Sequence, residues 1–111
     1  MKFFGKGREQ EKDNGQNEDF PETWQLTITG IVQGVGFRWS VQSFAQNLHL
    51  PGSVKNNFDG SVTVVLQADK NKVDLFIRDL PQNISRFAKI TKIKKEKLTN
   101  VEKMHDFHVS Y

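Results

Sequence analysis

Arg38 ends the run Gly30-Ile31-Val32-Gln33-Gly34-Val35-Gly36-Phe37-Arg38, in which two glycines lie one residue apart. Without a Cβ, Gly34 and Gly36 allow a backbone path in which several N–H groups converge on one point. The apolar spacing that follows predicts a helix, whose first turn presents unpaired N–H groups and a partial positive charge. Arg38 falls in that turn and adds a guanidinium fork suited to phosphoryl oxygens. The chemistry of such a segment is anion binding, and its natural occupant is a phosphate. Two familiar phosphate loops do not fit. A P-loop needs Gly-Lys followed by Ser or Thr, whereas Phe37-Arg38 follows Gly36. The dinucleotide fingerprint needs a third glycine where Trp39 stands, and Asp59 at a plausible ribose distance is an isolated match. On the glycines alone, a plain strand-to-helix turn is an equal reading.

The elements that must position this loop are legible from periodicity. Trp24, Leu26 and Ile28 alternate with Gln25, Thr27 and Thr29, which predicts a half-buried strand. A helix follows from about 38 to 48, with Phe37, Val41, Phe44, Ala45 and Leu48 on one face and Pro51-Gly52 ending it. Ser53–Asn56 and Ser61–Leu66 are two β-prone runs around Asp59-Gly60, a hairpin signal. Asp69 is placed to cap a second helix, Lys70–Leu80, with Val73, Phe76, Ile77 and Leu80 inward and Pro81 stopping it. A further strand begins at Ala88-Lys89-Ile90, and Ile93 breaks the period of two, which predicts a bulge there. Phe107, Val109 and Tyr111 form the alternating face of a last strand. The order βαββαβ, followed by a short terminal strand, is that of the α+β ferredoxin-like sandwich, an antiparallel sheet with two helices on one face.

Composition sets the bounds. At 111 residues the chain is one domain, residues 23–111, preceded by a polar extension over residues 1–22. That extension holds six acidic and four basic side chains without apolar period, and it reads as disordered. The remainder holds twelve basic against seven acidic, with six lysines from Lys89 to Lys103. A cationic surface suits small anionic substrates, although a solvated strand face explains the lysines as well. There is no cysteine, which excludes disulfides and thiolate metal sites and fits a cytoplasmic protein. No apolar run is long enough for a membrane span, and no hydrophobic region follows Met1-Lys2-Phe3-Phe4 to make a signal peptide. His49, His105 and His108 show no metal-ligand spacing.

Three blocks together resemble the acylphosphatase family: Val32-Gln33-Gly34-Val35-Gly36-Phe37-Arg38, Gly52-Ser53-Val54-Lys55-Asn56 and Asp59-Gly60-Ser61-Val62. The likeness covers about residues 24–111. Ser53 stands where the family has an aromatic residue, and Asn57 where it often has Thr. The resemblance implies metal-independent, cofactor-free hydrolysis of a carboxyl-phosphate anhydride to a carboxylate and inorganic phosphate. It implies that Arg38 binds the phosphoryl group with backbone N–H groups of Gln33, Gly34, Val35, Gly36 and Phe37. It assigns Asn56 to positioning the attacking water. The chemistry agrees, because phosphoryl transfer asks a protein chiefly for positioning and charge stabilisation. A carboxylate leaving group needs no strong general acid. The implied partner is a small acyl phosphate met by a monomer, with no nucleic acid and no membrane.

Two rival readings follow from the same residues. A non-catalytic anion-binding module would keep the cradle without hydrolysis. The topology also serves RNA-recognition motifs, but Gly36-Phe37-Arg38-Trp39 gives only a fragment of their paired-aromatic signature, at a helix start. The fold likewise begins larger carbamoyl-transferring hydrogenase-maturation proteins, whose other domains 111 residues cannot hold.

Overall fold

β1, Thr23–Ile31, is an interior strand of the sheet, and its alternation decides what lies on each side. Leu26 and Ile28 are fully buried on the helix side, while Gln25, Thr27 and Thr29 face away with Thr63 and Val65 of the neighbouring strand. The computed structural model describes residues 20–111. The expected polar extension lies outside the described residues except for its last three. Of those, Glu22 accepts a hydrogen bond from Trp24 Nε1 at 2.8 Å.

The elements run β1, α1 (Phe37–Asn47), β2 (Gly52–Asn56), β3 (Val62–Gln67), α2 (Lys70–Asp79), β4 (Lys89–Leu98) and β5 (Phe107–Ser110), in sheet order β4-β1-β3-β2-β5. This is the ferredoxin-like α+β arrangement, with two helices packed on a five-stranded sheet. Four strands pair antiparallel, but β5 lies parallel to β2, so the sheet is mixed where a wholly antiparallel one was expected. Alternation has the same period in both pairings, which is why it misled. The core joins Leu26, Ile28, Val54, Val62, Val64 and Leu66 of the sheet to Phe37, Val41, Val73 and Phe76 of the helices. Phe44 of α1 stacks on Phe76 of α2 with ring centroids 5.0 Å apart, locking the two helices together.

Local chemistry explains the boundaries. α1 ends at Asn47, before Pro51, because His49 takes a left-handed φ of 58° and turns the chain back. Leu50 N–H then bonds Ala45 O at 3.0 Å, and Leu50 is buried in place of Leu48, which is exposed. Asp69 caps α2 by accepting from Lys72 N–H at 2.9 Å. α2 tightens into a 3-10 turn over Leu80–Gln82, so Pro81 sits inside that turn. The predicted irregularity in β4 falls at Thr91, two residues before Ile93: Thr29 opposes Lys92 and Gly30 opposes Ile90. One inserted residue lets Ile90 and Ile93 both pack on the core. Gly30 is required there, since a Cβ would lie 2.0 Å from Lys89 O.

Candidate functional site

The loop between β1 and α1 starts on Val32, which is buried and anchors it to the core. Gly34 and Gly36 have φ of 73° and 77°, in the left-handed region that glycine takes without strain. A Cβ on either would meet nothing within 4 Å, so backbone conformation and not crowding demands glycine. Gly36 is also the N-cap of α1. It brings no capping side chain, and the first turn contains no acidic residue. Among the described residues, no backbone N–H from Gln33 to Gly36 donates to another protein group. These donors and the helix terminus therefore add up to an uncompensated positive corner.

Gln33 holds that corner in place. Its side-chain amide donates to Asn57 O at 2.7 Å and to Ser61 O at 2.8 Å, tying the loop to both arms of the β2–β3 hairpin. Sequence reasoning assigned the Gln33 side chain no role, only its backbone N–H one. The tie spans 24 and 28 residues, and no local pattern announces it.

Asn56 closes β2. Strand alternation puts it on the face of Gly52 and Val54, toward the helix layer, while Lys55 is exposed on the other face. Asn56 Oδ1 is buried and has no hydrogen-bond partner among the described residues. Such an acceptor costs about 1–3 kcal/mol, a penalty a merely structural asparagine would not carry. Asn57 is its opposite. Its Nδ2 donates to Ser61 Oγ at 2.9 Å and Thr63 Oγ1 at 2.8 Å, so this replacement of the family's Thr has hydrogen bonds of its own. Asp59 completes the turn by accepting from Ser61 N–H at 2.9 Å and Ser61 Oγ at 2.6 Å. The Ser61 hydroxyl, followed by its N–H, holds the Asp59 carboxyl below the usual carboxylate range.

Arg38, half-buried in the first turn of α1, has no carboxylate partner among the described residues. Its guanidinium carbon sits 5.5 Å from the centroid of the Tyr111 ring. Tyr111 is not the inward member of the last strand that alternation suggested: it lies beyond β5 and is almost fully exposed. Arg38, Asn56 and Tyr111 stand between two adjoining hollows. One, of about 350 Å³, lies over Gly34 and Gly36; the other, of about 700 Å³, opens toward Lys55 and Phe58. Among the described residues, no Asp or Glu lines either. The predicted residues Gly34, Gly36, Phe37, Arg38 and Asn56 are thus brought to one hollow, and Gln33 lines its neighbour. Val35 borders neither, and contributes its backbone and a partly buried side chain packed on the core.

The three histidines are exposed, and among the described residues no three His, Cys, Asp or Glu side chains gather where they could hold a metal. No helix among them is long and apolar enough to cross a membrane. What the corner can do is bind a tetrahedral oxyanion and present one unpaired acceptor beside it.

Comparison with known proteins gives this corner its context. The family model described as acylphosphatase matches residues 24–109. An acylphosphatase of Lactobacillus johnsonii is 41% identical over 90 residues, covering 81% of this chain and 99% of that protein. The crystal structure of acylphosphatase from Bacillus subtilis aligns with a TM-score of 0.73 and 34% identity, over 81% of this chain and 99% of that one. A full-length HypF structure, in a phosphate- and nucleotide-bound form, is 30% identical with a TM-score of 0.72, over 88% of this chain but 13% of that one. Matched in sequence over nearly all its described residues and in fold over the same span, the chain belongs to the acylphosphatase family of hydrolases.

Proposed function

We propose that this corner hydrolyses acyl phosphates to a carboxylate and inorganic phosphate, with Arg38 and the Gln33–Phe37 backbone donors binding the phosphoryl oxygens. A small rotation of the Asn56 side chain, which borders both hollows, brings the enclosed Oδ1 to accept a hydrogen from a water molecule and aim its oxygen at phosphorus. The water oxygen forms the new P–O bond as the bond from phosphorus to the acyl oxygen breaks, and the carboxylate departs with the electron pair. The displaced water proton passes to a phosphoryl oxygen. No side chain need titrate, and no metal is required to bring charge to the site, because the guanidinium and the helix N-terminus supply it. The observation that carries this reading is the buried, unpartnered Asn56 Oδ1 beside an uncapped helix terminus.

The lack of cysteine suits a cytoplasmic setting. The test is hydrolysis of acetyl phosphate by the purified protein in the presence of a chelator, with inorganic phosphate as inhibitor. Turnover inhibited competitively by phosphate is expected. Phosphate binding without turnover would leave an anion-binding module and overturn the catalytic reading.

A further inference from the structure

The larger of the two hollows has no assigned occupant, and its walls differ from those of the phosphate cradle. Phe58 stands at the tip of the β2–β3 turn with its ring wholly in solvent, at 113% relative exposure. Nothing in the turn requires an aromatic residue at this position. The turn is closed by the Gly60 N–H to Asn57 O bond and by the Asp59 contacts with Ser61. Tyr111, across the same hollow, is also almost fully exposed, and its ring already lies against Arg38. Two exposed aromatic residues therefore line one concavity that Arg38 and Asn56 also border.

Exposed apolar groups scattered singly need no explanation, but two aromatic residues lining a hollow that borders a reactive centre do. We infer that this hollow is an acyl-group subsite, walled by Phe58 and Tyr111, that favours acyl phosphates with an aromatic or bulky apolar acyl group over small ones. The inference rests on the proposed hydrolysis and names the substrate class for it. With the phosphoryl group over Gly34 and Gly36, the scissile bond lies at Arg38 and Asn56, which with Tyr111 border both hollows. The acyl carbon then points toward Phe58. An aryl group there stacks on the Phe58 and Tyr111 rings and removes three apolar surfaces from water together. A small acyl group reaches neither ring. Contact energy gained so far from phosphorus raises kcat/KM through binding and orientation, with no change in the chemistry.

The discriminating experiment measures kcat/KM for benzoyl phosphate and acetyl phosphate in the wild type, Phe58→Ser and Phe87→Ser. Phe87 is a control, an exposed phenylalanine that borders neither hollow. An aromatic contact of this kind corresponds to about a two- to tenfold effect. The benzoyl-to-acetyl ratio is expected to fall by that factor in Phe58→Ser and to hold in Phe87→Ser. Because the ratio is compared between variants, the different intrinsic reactivities of the two anhydrides cancel. Affinities for benzylphosphonate and methylphosphonate, measured by calorimetry on the same proteins, should shift in parallel. A ratio in Phe58→Ser equal to the wild type's, with both substrates turned over, overturns the subsite and leaves the hydrolysis standing. An equal fall in Phe87→Ser also overturns it. Hydrolysis of neither substrate by the wild type overturns both.

Discussion

The two helices of this protein begin in opposite ways. α2 starts on Asp69, whose carboxylate accepts from Lys72 N–H and satisfies the terminus from within the chain. α1 starts on Gly36, with no capping side chain and no acidic residue in its first turn. The same division separates two neighbouring asparagines. Asn57 has both Nδ2 hydrogens bonded and its backbone carbonyl held by Gln33, whereas Asn56 Oδ1 is buried without a partner among the described residues. Helix capping and buried hydrogen bonds are each favourable by about 1 kcal/mol, so a chain under selection for stability alone would have completed both. The unsatisfied terminus and the unsatisfied acceptor meet at one hollow. Local incompleteness marks the site, and local completeness marks its scaffold.

Breaking the comparison on the functional side should produce the largest effect. Among the described residues Arg38 is the only side-chain cation at the phosphoryl end, and Arg38→Ala should lower kcat/KM for acyl phosphates by at least about 100- to 1000-fold. Its melting temperature should stay near the wild-type value, because Arg38 has no ion-pair partner among the described residues. Gln33→Ala acts on the tie between the two sides. Losing two hydrogen bonds should cost about 1–3 kcal/mol in urea unfolding, with a loss of activity smaller than that of Arg38→Ala. On the scaffold side, Asp69→Ala should destabilise by about 1 kcal/mol and leave phosphate inhibition unchanged.

The smallest effect is one of pH. Asp59 has its carboxyl held below the ordinary range by Ser61, so its stabilising contribution is complete above that range and is lost as pH falls through the lowered value. Asp59→Asn should flatten the acid limb of stability against pH and leave the neutral region alone. An Asp59→Asn curve parallel to the wild type's would remove Asp59 from the account.

Much of this division could be read from the chain beforehand, and the misses have physical causes. Period-two and period-three-to-four patterns, with the Asp59-Gly60 hairpin signal for Ser53–Asn56, located the described strands and both helices, because burial of one face dictates composition locally. Arg38 and the paired glycines were visible because a left-handed turn at a helix start demands glycine. The parallel partner of β5, the side-chain tie of Gln33 and the seat of Tyr111 against Arg38 were not visible. Each depends on which residues the register brings together, and separations of 24 residues or more leave no local trace. The spacing of Ile90 and Ile93 did announce an extra residue, but not that Thr91 would be the one displaced. Asn56 could be singled out only through its family resemblance, since an asparagine before a turn ordinarily serves the turn.

The most direct test sets Asn56→Ala beside Asn57→Ala and measures three quantities in each: kcat on acetyl phosphate, inhibition by phosphate, and unfolding free energy. For Asn56→Ala, kcat should fall about 100-fold, as expected for a misplaced nucleophile, with phosphate inhibition and stability retained or improved. For Asn57→Ala, stability should fall by about 1–3 kcal/mol while kcat is largely kept. Undiminished turnover in Asn56→Ala, or equal losses of turnover in the two variants, would contradict the claim that the unpaired acceptor is the working group.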